Sequence, residues 1–298
     1  MDYRNSTETT ILRIKSQSRW NSSKVTAWGT VFLVFVLTIY LMFGFTDIGT
    51  ARPTWFKFVT SAFSTMAMLG TFSLCWRNSL QAHIPSGKKV WGLFSWATIA
   101  ILMSQMLTAI WELGFGLKSG ASPADLCNVT FYILTIWGLG LVLAQQKVAL
   151  SRIHMMMVGI VAVAASIIAM QIMISATFVT STSISSVDWA NLINKLFQPL
   201  VEFLGLFYLF SDVALIVMAA ILFLGFWGGR MGTTWQVVAQ GLACIYLADM
   251  RFAFLAKTGG YESGDLLEVF WIAGFVQLSI AAALEWENAH RVQRLLDR

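Results

Sequence analysis

Five ionisable side chains lie in stretches of sequence that are otherwise apolar. Asp249 and Arg251 interrupt one such stretch, Glu268 begins the next, Asp212 lies near the middle of an earlier one, and Glu112 ends another. Charged side chains are costly in hydrocarbon, so in a membrane protein they usually face other helices or a wet cavity. These five residues are therefore the candidates for binding a ligand or conducting protons.

A purely structural role is the alternative for the same side chains. A carboxylate at the end of a span, such as Glu268 or Asp125, can cap a helix and stay solvated. Asp212 and Asp249 can instead pair inside a helical bundle with Arg251 or with hydroxyl groups. Because Asp249 and Arg251 are two residues apart, they point to different sides of one helix and are not expected to pair with each other.

The composition is that of a membrane protein. The chain has 298 residues, of which 57% are hydrophobic and 12% charged, and its mean hydropathy is +0.69. Soluble domains carry about 25% charged residues. The apolar runs are continuous rather than alternating, which excludes the pattern of a β-barrel. We predict an all-α, polytopic integral membrane protein.

Eight apolar segments are long enough for a helix to cross about 30 Å of hydrocarbon. We expect a bundle over residues 26–287, flanked by a cytoplasmic N-terminal segment, 1–25, and a cytoplasmic helix extension, 288–298. A polar loop is predicted over 179–198. The eight spans are 26–45, 55–76, 90–113, 127–146, 155–178, 199–227, 234–257 and 265–287.

A short polar turn separates the last two spans. It covers residues 258–265, contains three glycines and ends on Asp265, which is a good N-cap for the next helix. Short connections favour neighbouring elements. The sequence therefore predicts an antiparallel hairpin of the seventh and eighth helices.

The basic residues indicate the orientation of the bundle. With the N-terminus inside, fourteen of the twenty Lys and Arg residues fall in segments on the inner side. Cytoplasmic loops carry such an excess, and an even number of spans returns the C-terminus to the same side. Both termini are therefore predicted to be cytoplasmic, and the net charge of +5 does not indicate nucleic-acid binding.

Residues that would hold a cofactor are sparse. The three histidines form no pair deep in facing spans, and the three cysteines have no paired spacing. No nucleophile elbow, phosphate loop or zinc-protease motif is present in the sequence. We expect no metal, no haem or other cofactor, and no catalytic activity.

Several stretches together resemble a known family. They are Ser122-Pro123-Ala124-Asp125-Leu126 with Gly138-Leu139-Gly140-Leu141, Asp212-Val213-Ala214-Leu215, Leu247-Ala248-Asp249, 260–267, 270–275 and Ala281-Ala282-Ala283. This pattern, over about residues 90–287, resembles the multi-helix membrane input region that precedes GGDEF diguanylate cyclases, phosphodiesterases and some histidine kinases in bacteria. The resemblance implies a sensor in the bacterial cytoplasmic membrane. The chain departs from the family by stopping where an output domain would begin.

Two functions follow as hypotheses. The first is a standalone sensory or regulatory module without its own catalytic domain. Its polar residues would read a ligand, a lipid or a membrane state, and helix 285–298 would couple to a protein partner or to a second copy of the chain. The second is an accessory structural subunit of a larger membrane complex. A small-molecule transporter is less favoured, because the sequence has no visible internal repeat or broken helix.

The basic residues yield a test of topology. A phosphatase reporter that is active only outside the cytoplasm, fused after Arg298, is expected to stay inactive because the excess of basic residues holds the C-terminus inside. A fluorescent protein that folds only in the cytoplasm serves as the control at the same position. An active phosphatase would contradict the predicted orientation.

Overall fold

Helices account for nearly all of the described chain. The computed structural model describes residues 22–44, 52–110, 122–146, 150–177, 188–227, 232–258, 261 and 263–296. Within these ranges eight helices are long and apolar enough to cross a membrane, and no strand occurs. The predicted all-α, polytopic fold is confirmed. The helices are α1 (Ser22–Phe43), α2 (Thr54–Ser79), α3 (Lys88–Ala109), α4 (Ala124–Gln146), α5 (Arg152–Thr177), α6 (Asp188–Gly225), α7 (Gly232–Thr258) and α8 (Val269–Leu296).

The described basic residues sort to the two ends of the bundle. One end, called here the basic end, carries Lys24, Arg77, Lys88, Lys89, Arg152 and Arg291. The other, called here the hairpin end, contains the connection between α7 and α8 and carries Arg52, Lys57 and Arg251. Helices of alternating direction produce this separation, because every second connection returns the chain to the same end.

Helix α8 lies at the centre of the bundle. It packs against α1, α2 and α7. Within its apolar span 61% of the residues are buried, compared with 11% in α1. Ala281, Ala282 and Ala283 are fully buried. Small side chains let neighbouring helices approach closely, which is how helices associate where lipid removes the hydrophobic driving force.

Buried hydroxyl and amide groups of α2 bind the backbone of α8. The Thr71 hydroxyl donates to the Phe275 carbonyl at 2.6 Å and lies 3.0 Å from the Ser279 hydroxyl. The Asn78 amide donates to the Ala282 carbonyl at 2.8 Å. Such interhelical hydrogen bonds stabilise contacts inside membranes by up to about 2 kcal/mol each. They fix the last part of α2, from Thr71 to Asn78, against α8.

Helix α5 lies at the periphery. It contacts only α6 and α7 among the principal helix pairs of the described chain. Met155, Met156 and Met157 are about half exposed or more. A shallow apolar groove on the same helix is lined by Met156, Gly159, Ile160, Val163, Ala164 and Ile167. An apolar exposed surface of this kind suits contact with lipid chains.

The sixth helix begins earlier than the sequence indicated. The predicted polar loop, 179–198, overlaps residues 188–198, which form the first three turns of the 38-residue α6. Apolar residues at Trp189, Leu192, Ile193, Leu196 and Phe197 follow the period of a helix. The polar residues between them and Pro199 concealed this pattern, and that part of the prediction was wrong. Residues 178–187 lie outside the described chain.

The predicted hairpin of α7 and α8 is confirmed by close contact along the two helices. Gly241 and Gly274 face each other at the crossing. A Cβ atom added at Gly274 would lie 2.5 Å from Cγ1 of Ile245 and 2.9 Å from the carbonyl oxygen of Gly241. Both distances are shorter than van der Waals contact. Only glycine allows the two backbones to approach this closely.

Gly274→Ala is therefore expected to destabilise the protein by roughly 1–3 kcal/mol, the usual cost of overpacking. The clash with a backbone oxygen outweighs the gain of about 1 kcal/mol in helix propensity. Thermal unfolding in mild detergent, followed by circular dichroism, measures the change.

Gly205→Ala is the matched control, since a Cβ atom there would meet nothing within 4 Å. It should leave the unfolding temperature unchanged or raise it. Equal effects of the two substitutions would contradict the packing described for the hairpin.

Candidate functional site

Four helices bring polar side chains together inside the bundle. The Tyr132 hydroxyl of α4 lies 2.8 Å from Oδ1 of Asp212 on α6 and 3.1 Å from Oδ2 of Asp249 on α7. The Trp271 indole N–H of α8 donates to the other oxygen of Asp249 at 2.7 Å. We call these four residues the aspartate network. It is a hydrogen-bonded site made of one side chain from each of four membrane-spanning helices.

Two members of the aspartate network are buried, and the other two, Asp249 and Trp271, are partly buried. Asp212 is 3% exposed and Tyr132 is 7% exposed. No ion pair among the described residues includes Asp212 or Asp249. Arg251, two residues beyond Asp249, lies within 3.8 Å of Asp265 instead. The two carboxyl groups are thus held by neutral donors in surroundings where charge is costly.

Aromatic side chains connect this network to Asp125. The Tyr208 hydroxyl donates to Oδ1 of Asp125 at 2.7 Å, and its ring lies 5.7 Å from that of Tyr132. Asp125 also accepts from the Ser122 backbone N–H at 2.7 Å, at the start of α4. A row of polar groups therefore runs from the hairpin end of the bundle toward the aspartate network.

A second carboxylate site holds the hairpin connection. Glu268 accepts from the Tyr261 hydroxyl at 2.8 Å and from the Gly264 backbone N–H at 3.0 Å. The Tyr40 hydroxyl of α1 lies 3.5 Å away. Gly264 has φ of +93°, and a Cβ atom there would lie 2.8 Å from the Phe56 ring. Glycine is thus required both by the backbone conformation and by the packing of this turn.

Asp265 joins the hairpin turn to two arginines. Its carboxylate lies 3.8 Å from Arg52 and 3.8 Å from Arg251, and it accepts from the Leu267 backbone N–H at 3.1 Å. The predicted N-cap is confirmed, although it caps a short 3₁₀ turn, Leu266–Glu268, that leads into α8.

The structure separates the candidate residues into two groups. Asp212 and Asp249 meet in the aspartate network, whereas Arg251 and Glu268 belong to the hairpin turn. Glu112 lies outside the described residues. Whether any of them binds a ligand stays a prediction.

Sequence reasoning missed the neutral donors of the network. In the sequence, Tyr132 and Trp271 are indistinguishable from other aromatic residues of apolar spans. No sequence spacing indicates that they contact Asp249. Tyrosine and tryptophan do usually find a hydrogen-bond partner when buried. That tendency identifies them as potential donors, but it does not indicate which carboxylate they meet.

A third carboxylate lies near the basic end. Glu285 is fully buried and accepts from the Ser86 backbone N–H at 3.0 Å and from the Ser86 hydroxyl at 2.5 Å. The Trp91 indole N–H donates to the same hydroxyl at 2.8 Å. The loop between α2 and α3 is thereby tied to α8. The sequence placed Glu285 where the last span meets the helix 285–298 that was expected to couple to a partner, and this contact was not predicted.

The described residues contain no cluster of three or more His, Cys, Asp or Glu side chains that could hold a metal ion. In comparisons with known proteins, no family model, no curated protein and no solved structure matches the chain.

Glu268→Gln is expected to destabilise the hairpin turn by about 1 kcal/mol. The amide oxygen can still accept at the position of Oε1, but the amide nitrogen in place of Oε2 cannot accept from the Gly264 N–H, and the remaining hydrogen bonds lose the assistance of a charge. Hydrogen exchange of the Gly264 backbone amide should become faster in the variant. Glu202→Gln, at an exposed carboxylate of α6, serves as the control and should leave that exchange unchanged. Unaltered protection of Gly264 in Glu268→Gln would contradict the role given to Glu268.

Proposed function

We propose that the chain is a membrane-embedded sensory or regulatory module that acts through a protein partner. The signal enters at the aspartate network, and α8 transmits it to the basic end. The observation that supports this proposal best is the hydrogen-bond arrangement around Tyr132.

One hydroxyl proton serves two carboxyl groups. Tyr132 has a single proton to donate, yet its oxygen lies within 3.1 Å of both Asp212 and Asp249. A carboxylate can only accept, whereas a protonated carboxyl can also donate. Both contacts are hydrogen bonds only when one of the two carboxyl groups carries a proton. This arrangement favours a site whose geometry depends on whether that proton is bound.

The position of α8 supports the path of the signal. Its residue Trp271 donates to Asp249, and the same helix continues past the buried Glu285 to Leu296 at the basic end. Loss of the bound proton would leave two carboxylates facing one donor, and their repulsion would push α6 and α7 apart. Because α8 packs on α7 along its length, such a movement would reach the helix end that we propose contacts the partner.

The resemblance to bacterial membrane input regions is consistent with this proposal, and we extend it to a location in the bacterial cytoplasmic membrane with both termini inside. The partner is a separate protein or a second copy of the chain. It is to be identified by crosslinking in native membranes, purification and mass spectrometry.

Asp249→Asn tests the proposed function. Asparagine can still accept from Trp271 and donate to Tyr132 or Asp212, so we expect folding and partner binding to persist. It cannot release a proton, so the partner's response to pH should be lost. Partner binding, or the partner's own output, measured over a series of pH values in native membranes is the readout.

A carboxylate outside the aspartate network provides the control for Asp249→Asn. Glu202→Gln neutralises an exposed carboxylate of the same α6 that carries Asp212 and should preserve the response. If Asp249→Asn and Asp249→Leu both respond as the wild type does, the sensory proposal is wrong. If the partner complex dissociates without the chain but no variant alters its output, an accessory structural subunit is the better description.

A further inference from the structure

Arg77, a partly buried cation at the basic end, has no anionic partner among the residues that the structure describes. Arg77 lies in the last turn of α2, and its guanidinium carbon is 4.1 Å from the centroid of the Trp286 ring on α8. Its Nε and Nη2 atoms are buried and have no hydrogen-bond partner among the described residues. No carboxylate of the described chain lies within ion-pair distance of Arg77.

The chemistry of this side chain indicates what would satisfy it. A guanidinium stays charged, and its N–H groups form a planar fork that matches two oxygens of a phosphate or carboxylate. Stacking on tryptophan stabilises the cation but provides no hydrogen-bond acceptor. Buried N–H groups that stay unpaired are costly. An anion with at least two oxygens fits this position.

Nearby carboxylates already have other partners. Glu285 accepts from Ser86. Glu287 accepts from the Ser22 hydroxyl and from Arg291. Neither residue is within ion-pair distance of Arg77. An anion that binds Arg77 would therefore come from outside the described residues.

The surroundings of Arg77 favour a phosphate group at the membrane surface. Lys24, Lys88 and Lys89 are exposed at the same end of the bundle. Trp76, beside Arg77 and close to the end of α2, is 41% exposed. Exposed tryptophans at helix ends lie at the level of lipid headgroups, and basic clusters there attract anionic lipids.

We propose that Arg77, stacked on Trp286, binds a phosphate group at the basic end of the bundle, either the phosphodiester of an anionic phospholipid or a free phosphate. This proposal does not depend on the aspartate network. The site lies where a bound phosphate would bridge the end of α2 and the end of α8.

Native mass spectrometry of the detergent-purified protein tests the site with two probes, phosphatidylglycerol and inorganic phosphate. Arg77→Gln should lower the affinity for the probe that binds by about tenfold, because charge-assisted hydrogen bonds are lost. Arg77→Lys keeps the charge without the fork and should lose part of that affinity. Trp286→Leu leaves the guanidinium in place without its stacking partner and should also weaken binding.

Arg152→Gln removes an exposed cation at the same end and serves as the control. Binding of phosphatidylglycerol but not of inorganic phosphate, with loss in Arg77→Gln, assigns the site to lipid. The reverse pattern assigns it to a free phosphate. If neither probe distinguishes Arg77→Gln or Arg77→Lys from Arg152→Gln, the proposal is wrong.

Discussion

The close packing of α8 against α1, α2 and α7 is the constraint on which the rest of the structure depends. Lipid chains are as apolar as leucine side chains, so helices in a membrane associate through close fit and hydrogen bonds rather than through exclusion of water. The glycine contact between Gly241 and Gly274 and the buried alanines of α8 permit that fit. Thr71 and Asn78 then bind the α8 backbone, which fixes its position relative to α2.

Carboxylates bind α8 to its neighbours at three levels along its axis. Glu268 holds the hairpin turn, Asp249 accepts from Trp271 one turn further on, and Glu285 binds the loop of Ser86 near the basic end. Each is held by neutral or backbone donors. A buried carboxylate without such donors would be strongly destabilising. The three sites therefore specify the register of α8 as well as its contacts.

Only the middle level combines two carboxyl groups around one shared hydroxyl in the described chain. At each of the other two levels a single carboxylate accepts from its donors, and Oε2 of Glu285 has no hydrogen-bond partner among the described residues. At the aspartate network two carboxyl groups share one hydroxyl, and the proposed function rests on a change of geometry there when the charge changes. This difference in donor number is why the proposed signal enters at Asp249 rather than at Glu268, although both were candidates from the sequence.

The sequence by itself determined the fold class, the eight spans and the pairing of the last two helices, because length, apolarity and a short turn are local properties. Asp265 was likewise recognisable as a cap. It could not show that Asp212 meets Asp249 through Tyr132, or that Trp271 supplies the remaining donor, because these residues lie up to 139 positions apart. Only the tertiary structure decides such contacts, since they depend on how helices rotate and approach. The helical start of α6 at Asp188 was also missed, because a polar composition concealed an apolar period.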